Sequence, residues 1–289
     1  MLKMTNMCVS GYAGSKNKTA NYYLPFVMYE NISTYIEPFG GMFGVGLNKS
    51  PHPAEIYNDL NKKLALLFNV LADSVLGMEL ICKMCSVPYT KEFFDNAKET
   101  LNKTDFSAVT DNKIEIACYV WSLLLMSFNG QMETFRGIYT GAEEEKLHMR
   151  MTQKYNLLSR LQGLTVLNTD GLEVIREYKN DSHAFLFIDP PYTQTNESSE
   201  HKRQKIYECE VLSDKEQAEF LAVLENAKAK ILVCSYKNKL YDDILCAEYG
   251  WKCHPVTDTF KSMRIGGKGE SKSKVTEYVY INYDVEECR

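Results

Sequence analysis

No stretch of this chain is apolar for long enough to cross a bilayer as a helix. The longest apolar run, Cys118 to Phe128, contains two serines and falls well short of the roughly 20 residues a span needs. It reads as a buried core helix, and no membrane partner is expected. A disulfide framework is also missing. The 9 cysteines are scattered through 289 residues, and no signal-like segment opens the sequence. Reduced thiols in a cytoplasm are expected. Cys82-Lys83-Met84-Cys85 is the single C-x-x-C; without a second pair or a histidine at zinc spacing it reads as core cysteines, and no metal is expected. Positive charge is not in excess: 33 Lys and Arg stand against 38 Asp and Glu, for a net charge of -5. A nucleic-acid partner would have to be met by local basic patches. Internal repeats and low-complexity tracts are absent. So are G-x-G-x-x-G and a Walker lysine motif, which disfavours NAD and ATP.

What is present is organised around Phe185-Leu186-Phe187-Ile188-Asp189-Pro190-Pro191-Tyr192. A short, bounded apolar run predicts a strand buried on both faces. The prolines end it, because neither has an N–H to give a ladder and each fixes φ. Asp189 and Tyr192 are therefore expected on a stiff turn at a strand's carboxyl end, where open α/β sheets bind ligands. The same tetrapeptide is also compatible with an ordinary proline-capped strand end.

Upstream, Thr34 to Glu37 predicts a strand, followed by the glycine-rich Pro38-Phe39-Gly40-Gly41-Met42-Phe43-Gly44. Ala54 to Asp59 predicts a second strand ending in an acid, about twenty residues beyond the glycines, the usual interval for a ribose-binding carboxylate. A helix is expected from Leu60 to about Leu76, and a short one at the N-terminus up to about Glu30. Residues 77–160 break the alternation and predict helices at 92–101, 113–128 and up to about 161, a helical insert. Strands resume at Leu164 to Leu167, before Asp170, and continue at Lys230 to Ser235 and Val275 to Tyr283. Ser213-Asp214-Lys215-Glu216 predicts a capped helix start. The fold expected is α/β, a Rossmann-like sheet in two parts, 1–76 and 161–289, with the helical insert 77–160 between them. Three acids stand at strand ends: Glu37, Asp59 and Asp189. Carboxylates suit a sulfonium and ribose hydroxyls better than a pyrophosphate, which points by elimination to S-adenosylmethionine.

Taken in order, these residues resemble the Dam-like, alpha-class DNA adenine-N6 methyltransferases. The resemblance rests on Tyr12-Ala13-Gly14-Ser15-Lys16, on Glu37-Pro38-Phe39-Gly40-Gly41 continuing to Leu47-Asn48, on Asp59, on Phe128-Asn129-Gly130 and on Asp189-Pro190-Pro191-Tyr192. It covers nearly the whole chain. The chain departs from the family pattern at Phe43, where a second glycine is frequent, and at Ser15, where glycine is commoner. It also lacks the arginine- and asparagine-rich segment that follows Asn-Gly in GATC methylases, so GATC is not the expected target.

The resemblance implies a cytoplasmic, bacterial or phage-encoded enzyme that methylates adenine N6 in double-stranded DNA from S-adenosylmethionine. Asp189 and the Pro190 carbonyl would accept the two N–H bonds of the target amine. Pro191 would stiffen the turn, and Tyr192 would stack on a flipped base. Tyr12, Lys16, Glu37, Phe39, Gly41, Asp59, Asp170 and Asp189 are the implied cofactor residues. Taken alone, Lys16 could be a solvated surface lysine and Asp170 a helix N-cap. Asn129 and Arg136 in the insert, Lys202 and Arg203 in one basic loop, and Lys261, Arg264 and Lys268 in another are the candidate DNA contacts. Two other readings share the turn: a ribosomal-RNA N-methyltransferase and a DNA-binding relative without turnover. A protein-glutamine methylase would prefer asparagine at position 189.

Overall fold

The computed structural model describes residues 6–12, 14–137, 143–152, 154–190, 214–260 and 274–288. Its sheet has seven strands: β1 (Thr34–Glu37), β2 (Ala54–Asn58), β3 (Thr165–Leu167), β4 (Ala184–Ile188), β5 (Lys230–Tyr236), β6 (Lys252–Phe260) and β7 (Lys274–Ile281). The spatial order is β3-β2-β1-β4-β5-β7-β6. β1 pairs in parallel with β2 and β4, and β4 with β5. β7 lies antiparallel to both β5 and β6. This is a mixed α/β, Rossmann-like architecture. β4 is buried at all five positions, as its apolar run predicts.

By density of internal contacts the chain divides into two compact units. One comprises Thr19–Gly40, His52–Leu60 and Thr169–Arg289; the other Met1–Lys18, Gly41–Pro51 and Asn61–Asn168. The first holds α1 (Ala20–Tyr23), α9 (Gly171–Tyr178), α10 (Asp214–Val223) and α11 (Lys239–Tyr241), the last running on into a π-helical turn, Asp242–Glu248. The second holds α2 (Gly44–Asn48), α3 (Lys62–Ala72), α4 (Ser74–Met84), α5 (Lys91–Lys103), α6 (Lys113–Met126), α7 (Glu143–Thr152) and α8 (Tyr155–Leu161). The helices expected as an insert thus group with the N-terminal residues and with the stretch following the glycine turn.

Three differences from the sequence expectation have physical reasons. The helix expected over 60–76 is two helices, α3 and α4, bent by 109°. Asp73 ends the first and caps the second: its Oδ1 accepts from the amides of Val75 at 2.9 Å and Leu76 at 3.0 Å. The N-terminal segment up to Glu30 is not one helix but α1 between two short 3-10 turns, Lys16–Lys18 and Leu24–Phe26; Pro25 leaves the last turn without a donor. β6 was not expected at all. It contains Pro255, beside a register shift between Pro255 and Thr257. Proline at a bulge on the outermost strand of a sheet breaks no inner ladder. The helix expected to start at Ser213-Asp214 is α10, from Asp214; Ser213 itself lies outside the described residues. Among the described residues no single helix is long and apolar enough to cross a membrane.

Candidate active site

In the sheet unit, the carboxyl ends of β1, β2 and β4 carry the acids expected there. Register fixes their faces. Tyr35 pairs with Phe185, and alternation then places Tyr35, Glu37, Phe185, Phe187 and Asp189 on one side of the sheet. Glu37 is buried, only 3% exposed. The Tyr35 hydroxyl, fully buried, donates to Glu37 Oε1 at 2.7 Å. Tyr35 is itself held between rings: it stacks on Phe185 at 5.9 Å between centroids and on His52 at 5.5 Å. Burial, and after it the Glu37 carboxylate, pushes the Tyr35 phenol well above its ordinary pKa. The phenol therefore stays a donor, and Glu37 keeps a fixed acceptor geometry at the strand end. Asp189, half-buried, follows β4, and Pro190 beside it is buried. Pro191 and Tyr192 lie outside the described residues.

The β1 turn is pinned by a residue that the sequence reading passed over. Asn58, the last residue of β2, is fully buried. Its Nδ2 donates to the Pro38 carbonyl at 2.8 Å and to the Thr169 carbonyl at 3.0 Å. Its Oδ1 accepts from the Thr169 amide at 3.0 Å, and its own carbonyl accepts from the Gly40 amide at 2.7 Å. One side chain thereby ties together the residues just before Phe39, Asp59 and Asp170. The signal was there: an amide directly before the ribose-type acid can serve two carbonyls and one N–H at once. Gly40 has to be glycine here, since a Cβ would stand 2.3 Å from the Tyr57 ring.

Asp170 caps α9, its Oδ1 accepting from the Leu172 amide at 2.8 Å, and its side chain is exposed. Phe39 lies so close to the start of the same helix that a Cβ on Gly171 would come within 2.5 Å of its ring. Asp59 is half-buried.

In the helical unit, Lys16 is buried at 6% exposure, not a solvated surface lysine, and sits in the 3-10 turn Lys16–Lys18. The chain before it is clamped. Asn48 exchanges hydrogen bonds with the backbone of Met7 at 2.7 and 2.9 Å. Trp121 Nε1 donates to the Val9 carbonyl at 3.1 Å. Gly130, at φ +67, lies so close that a Cβ would stand 2.0 Å from the Gly11 carbonyl. The Phe128-Asn129-Gly130 segment is thus a platform under the residues that lead to Tyr12, which is half-buried. Gly41 takes φ +50, and no atom lies within 4 Å of where its Cβ would be, so this turn leaves open space. Phe43, standing where the resembled family often has glycine, is itself left-handed at φ 53, a conformation that costs a non-glycine residue about 1 kcal/mol or more. Its fully buried ring, edge-on to Phe68 at 6.3 Å, offsets that cost. Asn129, also left-handed at φ 53, and Arg136 are both exposed. Lys202, Arg203, Lys261, Arg264 and Lys268 lie outside the described residues. Among the described residues no group of three or more His, Cys, Asp or Glu could hold a metal ion.

A mostly parallel sheet whose carboxyl edge carries Glu37 at the end of β1 and Asp59 just beyond β2, with Asp189-Pro190 following the central β4, is consistent with a Rossmann-like methyltransferase fold. The family model for D12 class N6 adenine-specific DNA methyltransferases matches residues 12–263, and the chain belongs to that family. It is similar to the Type II methyltransferase M.MjaIII of Methanocaldococcus jannaschii, with 25% identity over 73% of this chain and 78% of that protein. The activity is methylation of adenine N6 in DNA.

Proposed function

We propose that this chain binds S-adenosylmethionine along the carboxyl ends of β1 and β2 and methylates a flipped adenine held at Asp189-Pro190. The residues fit that donor. Glu37 and Asp59 offer carboxylates to a cationic sulfur and to ribose hydroxyls, and the turn at Gly41 has open space above it. Tyr12 and Lys16 would close on the donor from the N-terminal loop, and Phe39 and Asp170 would meet its adenine side. S-adenosylmethionine, when bound, supplies a methyl group on a sulfonium, a good leaving group.

The rest belongs to the chain. An adenine amine is a poor nucleophile because its lone pair is delocalised into the ring. The Asp189 carboxylate and the Pro190 carbonyl each accept one N–H, which localises the lone pair and aims it. Proline at 190 offers that carbonyl on a stiff turn, without a competing donor. Catalysis is then positioning and electrostatics, with no covalent enzyme intermediate. Inside a duplex N6 cannot be reached in line, so the base leaves the stack, and Tyr192 is its stacking partner, worth about 1–3 kcal/mol.

The observation that carries this reading is the β4 end. A strand buried at every position delivers Asp189 to the sheet edge, on the same face as the buried Glu37, with Pro190 next to it. Asn129, Arg136 and the two basic loops are the proposed contacts to DNA. The Type II name of the relative supports a role in restriction–modification. The test is transfer of tritiated methyl groups from S-adenosylmethionine to duplex DNA and to ribosomal RNA. Label on DNA adenine supports the proposal, and label on RNA alone refutes it.

A further inference from the structure

The face of the sheet that carries Asp189 holds another buried carboxylate, Glu277 on β7, at 8% exposure. Register locates it. Ile188 pairs with Val233, so Cys234 is level with Asp189. Cys234 pairs with Val279, and Tyr236 with Glu277. Alternation puts Asp189, Cys234, Tyr236 and Glu277 on one face. Glu277 therefore stands two strands across from Asp189, and past it in the direction in which the chain leaves β4.

Tyr23 on α1 occupies the space between these elements. Its ring meets Phe187 edge-on at 5.7 Å, and its hydroxyl donates to Glu277 Oε2. Burial first, then the neighbouring Cys234, Glu277 and Asp189, hold this phenol far above its ordinary pKa. It stays neutral and donates to Glu277, with its ring against Phe187, two residues before Asp189 on the same face. His254, paired with Val279 on β6, lies on the same face, as do Glu37, Tyr35 and Tyr283.

An amine that gains a methyl group has to lose a proton. Attack leaves positive charge on N6; an N–H bond then breaks, its electron pair returns to nitrogen, and the proton goes to the nearest base, Asp189. For the next turnover Asp189 must be ionised again. We propose that Glu277, acting through Tyr23, clears that proton from Asp189. The Tyr23 oxygen takes the proton as its own O–H proton passes to Glu277. Asp189 regains its charge, Tyr23 is unchanged, and Glu277 becomes neutral until it exchanges with solvent. This inference rests on the reading of Asp189 as acceptor for the target amine. It makes Glu277 a residue that acts through others, not one that touches substrate.

The experiment uses full-length Glu277→Gln and Tyr23→Phe, with target duplexes chosen by sequencing the adenines methylated in cells that express the protein. Binding of S-adenosylhomocysteine, by equilibrium dialysis, and of duplex, by fluorescence anisotropy, is expected within about twofold of wild type. Steady-state kcat falls at least about tenfold. The rate, level with pH in wild type between about 6 and 9, climbs with pH in both variants, and added formate restores part of it in Glu277→Gln. Where Glu277→Gln fails to give a cooperative melt, Tyr23→Phe decides alone. Wild-type kcat with a level pH profile in the folded variant overturns the relay. Loss of binding in step with kcat also overturns it, because that marks a structural role. Persistent methylation by Asp189→Ala, in contrast, refutes the reading of Asp189 itself.

Discussion

The Nδ2 of Asn58 donates to the carbonyl of Pro38 at 2.8 Å, across two neighbouring strand ends of the sheet. That bond, with the two that Asn58 makes to Thr169, holds the β1 turn and the start of α9 in one arrangement. Asn58→Leu leaves the buried Pro38 carbonyl and the half-buried carbonyl and N–H of Thr169 without their partner, each at a cost of about 1–3 kcal/mol. We expect a loss of at least about 3 kcal/mol in urea unfolding. Asn58→Asp keeps the acceptor for Thr169 but loses both donors. At neutral pH it should stay folded and bind S-adenosylhomocysteine at least about tenfold more weakly, measured by equilibrium dialysis, because the turn beside Phe39 is released.

Glu37 and Tyr35 form the second fixed pair. Glu37→Gln retains an oxygen for the Tyr35 hydroxyl and removes the negative charge. The expected outcome is near-normal stability and weaker binding of the sulfonium donor than of S-adenosylhomocysteine, which carries no charge at sulfur. Equal weakening of both ligands would remove the charge argument. Tyr35→Phe acts in the opposite way: it leaves a buried carboxylate short of one donor, and should cost about 1–3 kcal/mol in a denaturant titration.

Gly130 tests the platform in the helical unit. Gly130→Ala meets the Gly11 carbonyl and a backbone at φ +67 together. Strain and overlap each cost about 1–3 kcal/mol, so a drop in melting temperature of several degrees is expected. Gly137, at φ +85 with nothing within 4 Å of its Cβ position, is the control: Gly137→Asn should be tolerated, because asparagine accepts a left-handed backbone.

Alkaline pH provides a test that needs no mutation. Tyr23, Tyr35 and Tyr283 are all raised above the ordinary tyrosine value, in each case chiefly by burial. In the unfolded chain they ionise near pH 10; folded, they do not. The unfolded state then binds fewer protons than the native state, so stability is present below about pH 10 and lost as pH rises beyond it. Each such phenol contributes a slope of about 1.4 kcal/mol per pH unit. Denaturant midpoints measured from pH 8 to 11 should stay level and then fall, and Tyr35→Phe should make the fall shallower.

Much of this was legible in the residues because local patterns carried it. The apolar run into Asp189-Pro190 is buried on both faces as read, and the strands leading to Glu37 and Asp59 sit where the short β-rich run and the run ending in an acid placed them. What escaped reading depends on partners distant in sequence. Asn58 matters through Pro38 and Thr169, 20 and 111 positions away, and Glu277 through Tyr23, 254 positions away; no periodicity reports such pairings. β6 was hidden by Pro255, a residue that argues against a strand except where a strand is outermost and bulged. The split at Asp73 was hidden because apolar spacing continues across it, while a single capping carboxylate sets the break. Lys16, implied by the resemblance as a cofactor residue, taken alone fits a solvated surface lysine equally well, and only the fold shows it buried.

The central claim is that Asp189 serves as acceptor for the amine of a DNA adenine. The most direct measurement is the N6-methyladenine content, by mass spectrometry, of plasmid DNA recovered from methylase-deficient cells expressing the wild-type chain or Asp189→Ala. The account predicts N6-methyladenine with the wild type and a drop of at least about a hundredfold with Asp189→Ala, the variant melting as the wild type does. N6-methyladenine at wild-type level from folded Asp189→Ala, or none from the wild type with methyl groups found on RNA, would contradict it.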